Sequence, residues 1–150
     1  MEALEIQLSI QIARSQRWIF DAITEPEKIS SYFISHASGR MEEGETLRWT
    51  FREYPESFPV KILKLRPPEN VIFEWDGAEG YKTTVEIVLE KISDNQTLVK
   101  LTEGKMEASE AGIKWFGGNS GGWMNFLDCL KAYTEYGINL RKGAFDFMIK

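Results

Sequence analysis

From Leu47 to Thr102 the apolar residues recur at every second position, and no helical period interrupts them. Leu47, Trp49 and Phe51 alternate with Arg48, Thr50 and Arg52. Val60 and Ile62 flank Lys61, and Val71, Phe73 and Trp75 alternate with Ile72, Glu74 and Asp76. Thr83, Val85, Ile87 and Leu89 follow the same rule, and Leu98 to Thr102 supplies one more run. A period of two places alternate side chains on one face of a strand. Turn formers separate the runs at Glu42-Glu43-Gly44, at Arg66 to Asn70, at Asp76 to Gly80 and at Ser93-Asp94-Asn95. Turns this short join antiparallel neighbours, because parallel strands need a long crossover.

The two ends frame this meander. Leu4, Ile6, Leu8, Ile10 and Ile12 alternate with polar residues and predict a first strand. Ser15 is placed to cap a short helix carrying Trp18, Ile19, Ala22 and Ile23, with Trp18 expected in the core. Thr24 and Pro26 open a second short helix. The final helix is expected from about Gly121 to Tyr136, with Trp123, Phe126, Leu127, Leu130 and Tyr133 on one side and Gly137 as its stop. A sheet with one apolar face and a helix with one apolar stripe must cover each other. The expected fold class is therefore α+β: a helix-grip arrangement in a single domain, residues 1–150. About six or seven antiparallel strands curve around the long C-terminal helix, and the two short helices follow the first strand. Inward-facing residues would be Leu8, Ile10, Trp49, Phe51, Phe73, Trp75, Val85 and Ile87.

Composition narrows the function classes. The net charge of -5, with no Lys/Arg run longer than Arg141-Lys142, speaks against nucleic acid as a partner. The single cysteine, Cys129, and single histidine, His36, leave no thiolate or histidine cluster for a metal, and no cofactor is expected. One cysteine and an N-terminus lacking a signal-like apolar segment fit a cytoplasmic location. No apolar run approaches the ~18–20 residues of a membrane span.

Three segments carry a family resemblance. "GGWMNFLDCLKAYTEYGINLR" resembles the closing helix of START-like (SRPBCC) domains related to the activator of the heat-shock-protein-ninety ATPase. "IARSQRWIFDAITEPEKISSYF" resembles their opening strand-helix-helix, and "KLRPPENVIFEW" their central hairpin. The resemblance implies a helix-grip fold with a cavity between sheet and helix. It does not imply one activity, since the superfamily hosts lipid carriers, hormone and drug binders, and cyclases.

Gly117, Gly118, Gly121 and Gly122 are expected in a loop that leads into the last helix, between Trp115-Phe116 and Trp123. They lack the Lys-Ser/Thr pair of a phosphate loop, so they read as backbone freedom at a cavity mouth, either a mobile lid or a permissive connection. The candidate ligand-binding residues are Tyr32, His36, Trp49, Phe51, Trp75, Trp115, Phe116, Trp123 and Phe126. Several indoles converging on one cavity suit a flat apolar or aromatic ligand. No catalytic residue is assigned: Cys129 falls mid-helix and reads as inert packing. Two other readings stay open, a co-chaperone-like interaction module and a cofactor-free cyclase or hydrolase using Tyr32, His36 or a pocket water. In the tail, Phe145, Phe147 and Ile149 alternate and would cover the domain's own sheet or form a homodimer.

Overall fold

The computed structural model describes residues 2–149. Seven strands form one open antiparallel sheet in the order β1-β7-β6-β5-β4-β3-β2. They are β1 (Ala3–Ile12), β2 (His36–Ala37), β3 (Thr46–Thr50), β4 (Ser57–Arg66), β5 (Asn70–Ala78), β6 (Tyr81–Ser93) and β7 (Gln96–Glu107). Helices α1 (Gln16–Thr24) and α2 (Pro26–Ile29) follow β1, and the long α3 (Glu110–Tyr136) closes the fold. This is the helix-grip architecture. Helix α3 lies against β1, with further contacts to α1, β7 and β5.

Strand alternation predicts the core well. Ile62, Val71, Phe73, Val85, Ile87, Val99 and Leu101 are all buried, and Leu8 and Ile10 are half-buried against them. Strands β4 and β7 run several residues beyond their apolar runs. Likewise, β5 continues to Ala78 through part of the expected turn, leaving Glu79 and Gly80 (φ 72°) at the hairpin tip.

Local signals act as expected at two helix ends. The Ser15 hydroxyl accepts a hydrogen bond from Trp18 N at 3.2 Å. Gly137 takes the left-handed conformation (φ 68°) that ends α3, donating to Tyr133 O at 2.9 Å. Arg14 reinforces that end: its Nε donates to Thr134 O (2.8 Å) and its Nη2 to Glu135 O (3.1 Å). A cation there also complements the helix dipole.

Two expectations are corrected. Trp18 is 58% exposed; it lies outside the buried face of α1 formed by Ile19, Phe20, Ala22 and Ile23, and the Arg14 guanidinium rests over its ring at 5.7 Å. Helix α3 begins at Glu110, where the Ser109 hydroxyl accepts from Gly112 N at 3.1 Å. The four glycines are therefore inside a helix, and no loop or hinge exists there. Intrinsic propensity disfavours glycine at these positions, and tertiary packing on either side overrides it.

Leu130, fully buried at the centre of α3, should lose about 2–5 kcal/mol on replacement by alanine. Trp18→Ala, for all its lost volume, should cost less than about 1 kcal/mol because the ring is solvated. Urea melts of the two variants check this contrast.

Candidate functional site

A cleft of about 1110 Å³ opens between the sheet and the middle of α3. Its apolar walls include Phe51, Phe58, Trp75 and Trp123. One wall is nearly bare backbone: Gly118, Gly121, Gly122 and Asn125 recur at i, i+3, i+4 and i+7, so they share one face of α3. A Cβ built on Gly117, Gly118, Gly121 or Gly122 would meet nothing within 4 Å. Three of these glycines line the cleft wall from within a helix, so they form neither the expected loop nor a phosphate-cradling turn.

Behind the cleft lies a residue that the sequence reading missed. Glu103 on β7 is completely buried, yet all its lone-pair directions are engaged. Oε2 accepts from Trp75 Nε1 (2.7 Å) and Thr83 Oγ1 (2.6 Å). Oε1 accepts from Trp123 Nε1 (2.9 Å) and Asn119 Nδ2 (3.0 Å). Four donors from β5, β6 and α3 meet on one acceptor, the arrangement a buried carboxylate requires. Asn119 Nδ2 also donates to Gly77 O at 3.0 Å, which ties α3 to β5. Gly77 is glycine for a steric reason: a Cβ there would stand 2.1 Å from Thr83 Oγ1 and 2.7 Å from Glu103 Oε2. A signal for Glu103 did exist. Thr97, Val99 and Leu101 all point inward, and the same alternation puts the next inward residue at Glu103.

At the mouth of the cleft stands a second polar pair. Arg141, in the segment after α3, donates from Nη1 to Glu53 Oε1 (3.0 Å) and from Nη2 to Glu53 Oε2 (2.6 Å). Its Nε donates to Asn125 Oδ1 at 3.2 Å. The guanidinium also lies 5.4 Å from the Phe33 and Phe51 ring centres and 4.5 Å from that of Phe145. Burial pushes the Glu53 carboxyl upward, but the hydrogen bonds and charge of Arg141 outweigh it and hold the group below the usual carboxylate range. A smaller hollow of about 560 Å³ adjoins this pair, and both hollows border Phe33, Glu53, Arg141 and Phe145.

The structure brings Phe51, Trp75 and Trp123 together on the cleft. Trp49 and Phe126 are buried behind it, Trp49 edge-on to Trp75 and Phe126 edge-on to Trp123. Tyr32 borders the smaller hollow, with its hydroxyl donating to Ala22 O at 2.9 Å and burial raising its pKa well above the usual phenol value. Trp115 sits in a separate apolar cluster with Ile6 and Met106, with Phe116 half-exposed beside it. His36 is exposed on the short edge strand β2. Cys129 is buried, and burial pushes its thiol up to about 11. Among the described residues no group of His, Cys, Asp and Glu is arranged to hold a metal ion, and no helix is long and apolar enough to cross a membrane.

The family described as Activator of Hsp90 ATPase homolog 1-like protein matches residues 13–135. The chain belongs to that family. Among solved structures, the protein SSP2350 from Staphylococcus saprophyticus is similar at 29% identity and a TM-score of 0.79, with 92% of this chain and 96% of that one covered. The Aha1 dimer from Colwellia psychrerythraea is similar at 25% identity and a TM-score of 0.76, with 89% and 98% covered. CalU16 from Micromonospora echinospora, at 20% identity and a TM-score of 0.70 over 97% and 83%, shares the fold. No curated protein sequence matches significantly. In this Activator of Hsp90 ATPase homolog 1-like chain, the cleft and the Glu103 cluster both lie where sheet and α3 face each other.

Substitutions at the two kinds of glycine should move the melting temperature in opposite directions. Gly121→Ala should stabilise by about 0.5–1 kcal/mol, since the helix gains propensity and the methyl meets open space. Gly77→Ala should destabilise by at least about 1 kcal/mol through overpacking. Glu103→Ala, which strands four donors, should cost more than about 3 kcal/mol. Calorimetric melts of the three variants check the order.

Proposed function

We propose that this protein binds an apolar ring compound in the cleft between the sheet and α3. The observation that carries the proposal is the bare helix face opposite the aromatic wall. Gly118, Gly121 and Gly122 are exposed, so α3 lines the cleft there with backbone where ordinary helical side chains would project into it. Glycine at three such positions lowers helix stability, which is a cost without a structural return. The resulting volume and its apolar walls suit a small molecule. The Glu103 cluster supports the reading. Trp75 and Trp123 spend their indole N–H groups on Glu103, so they offer the cleft apolar ring surface in fixed orientations.

The Colwellia relative is described as a dimer. In this chain Phe147 is 81% exposed while Phe145 borders the cleft. We therefore assign the outward side of the tail, at Phe147 and Ile149, as the surface through which a homodimer would form.

A titration with naphthylmethanol, followed by calorimetry, should show saturable binding. Gly121→Leu should abolish that binding while leaving the melting temperature equal to or above that of the parent, because leucine fills the cleft without entering the packed core. Unchanged affinity in Gly121→Leu would refute the assignment of the cleft.

A further inference from the structure

Arg141 lies in the cleft in the way a ligand would. Its guanidinium is bracketed by three aromatic rings at 4.5–5.4 Å and held by both oxygens of Glu53. Rings plus one desolvated carboxylate are the elements that recognise an organic cation. The residue that supplies the cation belongs to a segment with no strand or α-helix of its own, between Gly137 and the short turn at Asp146. Ile138 and Leu140 beside it are exposed. The charges bordering the cleft point the same way. Among the described residues Arg141 is its only cation, against Glu53, Glu56, Asp76 and Glu79. Of those acids, Asp76 is paired outside with Lys82 at 3.3 Å.

Resting on the cleft-binding reading above, we propose that Glu53 and the rings of Phe33 and Phe51 form a cation subsite of the cleft, occupied by Arg141 when no ligand is bound. The ligand class is a planar apolar molecule bearing a protonated amine, which displaces Arg141 and inherits its contact with Glu53.

The costs of the two exchanges decide between a cationic and an anionic ligand. An anion pairing with Arg141 would have to evict Glu53, whose side chain is 5% exposed. That would leave a buried carboxylate without its partner, a large penalty. An amine evicts Arg141 instead. The freed guanidinium is on a segment at the surface and regains water, while Glu53 keeps a positive partner. Trp75, Trp123 and Asn119 have their donors engaged by Glu103, so an anion finds little else to bind in the cleft.

Three probes of one shape test this: naphthylmethylamine, naphthylmethanol and naphthylacetate, titrated calorimetrically into the full chain. The amine should bind at least about tenfold tighter than the alcohol, and the acetate weakest. Arg141→Ala removes the internal competitor and should tighten amine binding by about tenfold, with little change for the alcohol. Glu53→Gln should erase the amine's advantage. Arg141→Gln serves as a second variant, and a cooperative melt of each confirms folding. Tightest binding of the acetate, lost in Arg141→Ala, would overturn the proposal in favour of an anion site. Equal affinity for all three probes would overturn the cation subsite while leaving the cleft reading intact. Absence of binding by all three, in the parent and in Arg141→Ala, would overturn both.

Discussion

A buried glutamate organises the part of this molecule that borders the cleft. Glu103 has no access to water, so the protein must supply every hydrogen bond it loses. The four donors come from three different elements, and satisfying them fixes the positions of Trp75, Thr83, Asn119 and Trp123 relative to one another. An apolar residue at this position would leave the two indoles free to pack in several ways. The carboxylate permits one, because its acceptors have direction and dispersion does not. The absence of a side chain at Gly77 belongs to the same constraint, since the strand must pass within contact distance of the carboxylate and the threonine hydroxyl.

The cleft follows from what lies on either side of that anchor. Towards the core, α3 presents Trp123, Phe126, Leu127 and Leu130, all buried. Towards the cleft it presents glycines and Asn125. One helix is thus a packed element along one stripe and an empty wall along another. The interior is dense where β1 and β7 cover α3 and open where α3 faces the end of β5 and the loop after β3. Packing at the dense part holds α3 against the sheet beside the open cleft.

The segment after α3 closes one side of the opening. It is held by the Arg141–Glu53 pair within the cleft and by the exposed Arg52–Asp146 pair at 2.9 Å. The exposed pair contributes little in water. The shielded pair is held by geometry, with two parallel hydrogen bonds between guanidinium and carboxylate.

Alternation of residues determined the sheet, and the caps at Ser15 and Gly137 determined helix ends, because these depend on neighbours within a few positions. The family was legible in the ordered set of segments, and Phe51, Trp75 and Trp123 could be named as cleft residues from their place on strands and helix. The glycines were misread as a loop. Local propensity argues against a helix through four glycines, and packing of Trp115 before them and Trp123 after them, with the Asn119 hydrogen bonds to Gly77 O and Glu103 between, carries the helix across. The Glu103 cluster joins residues from position 75 to position 123, and Arg141 meets Glu53 across 88 positions. Such meetings depend on how β5, β7, α3 and the tail are placed in space, so tertiary structure alone decided which polar groups are buried against one another and which border the cleft.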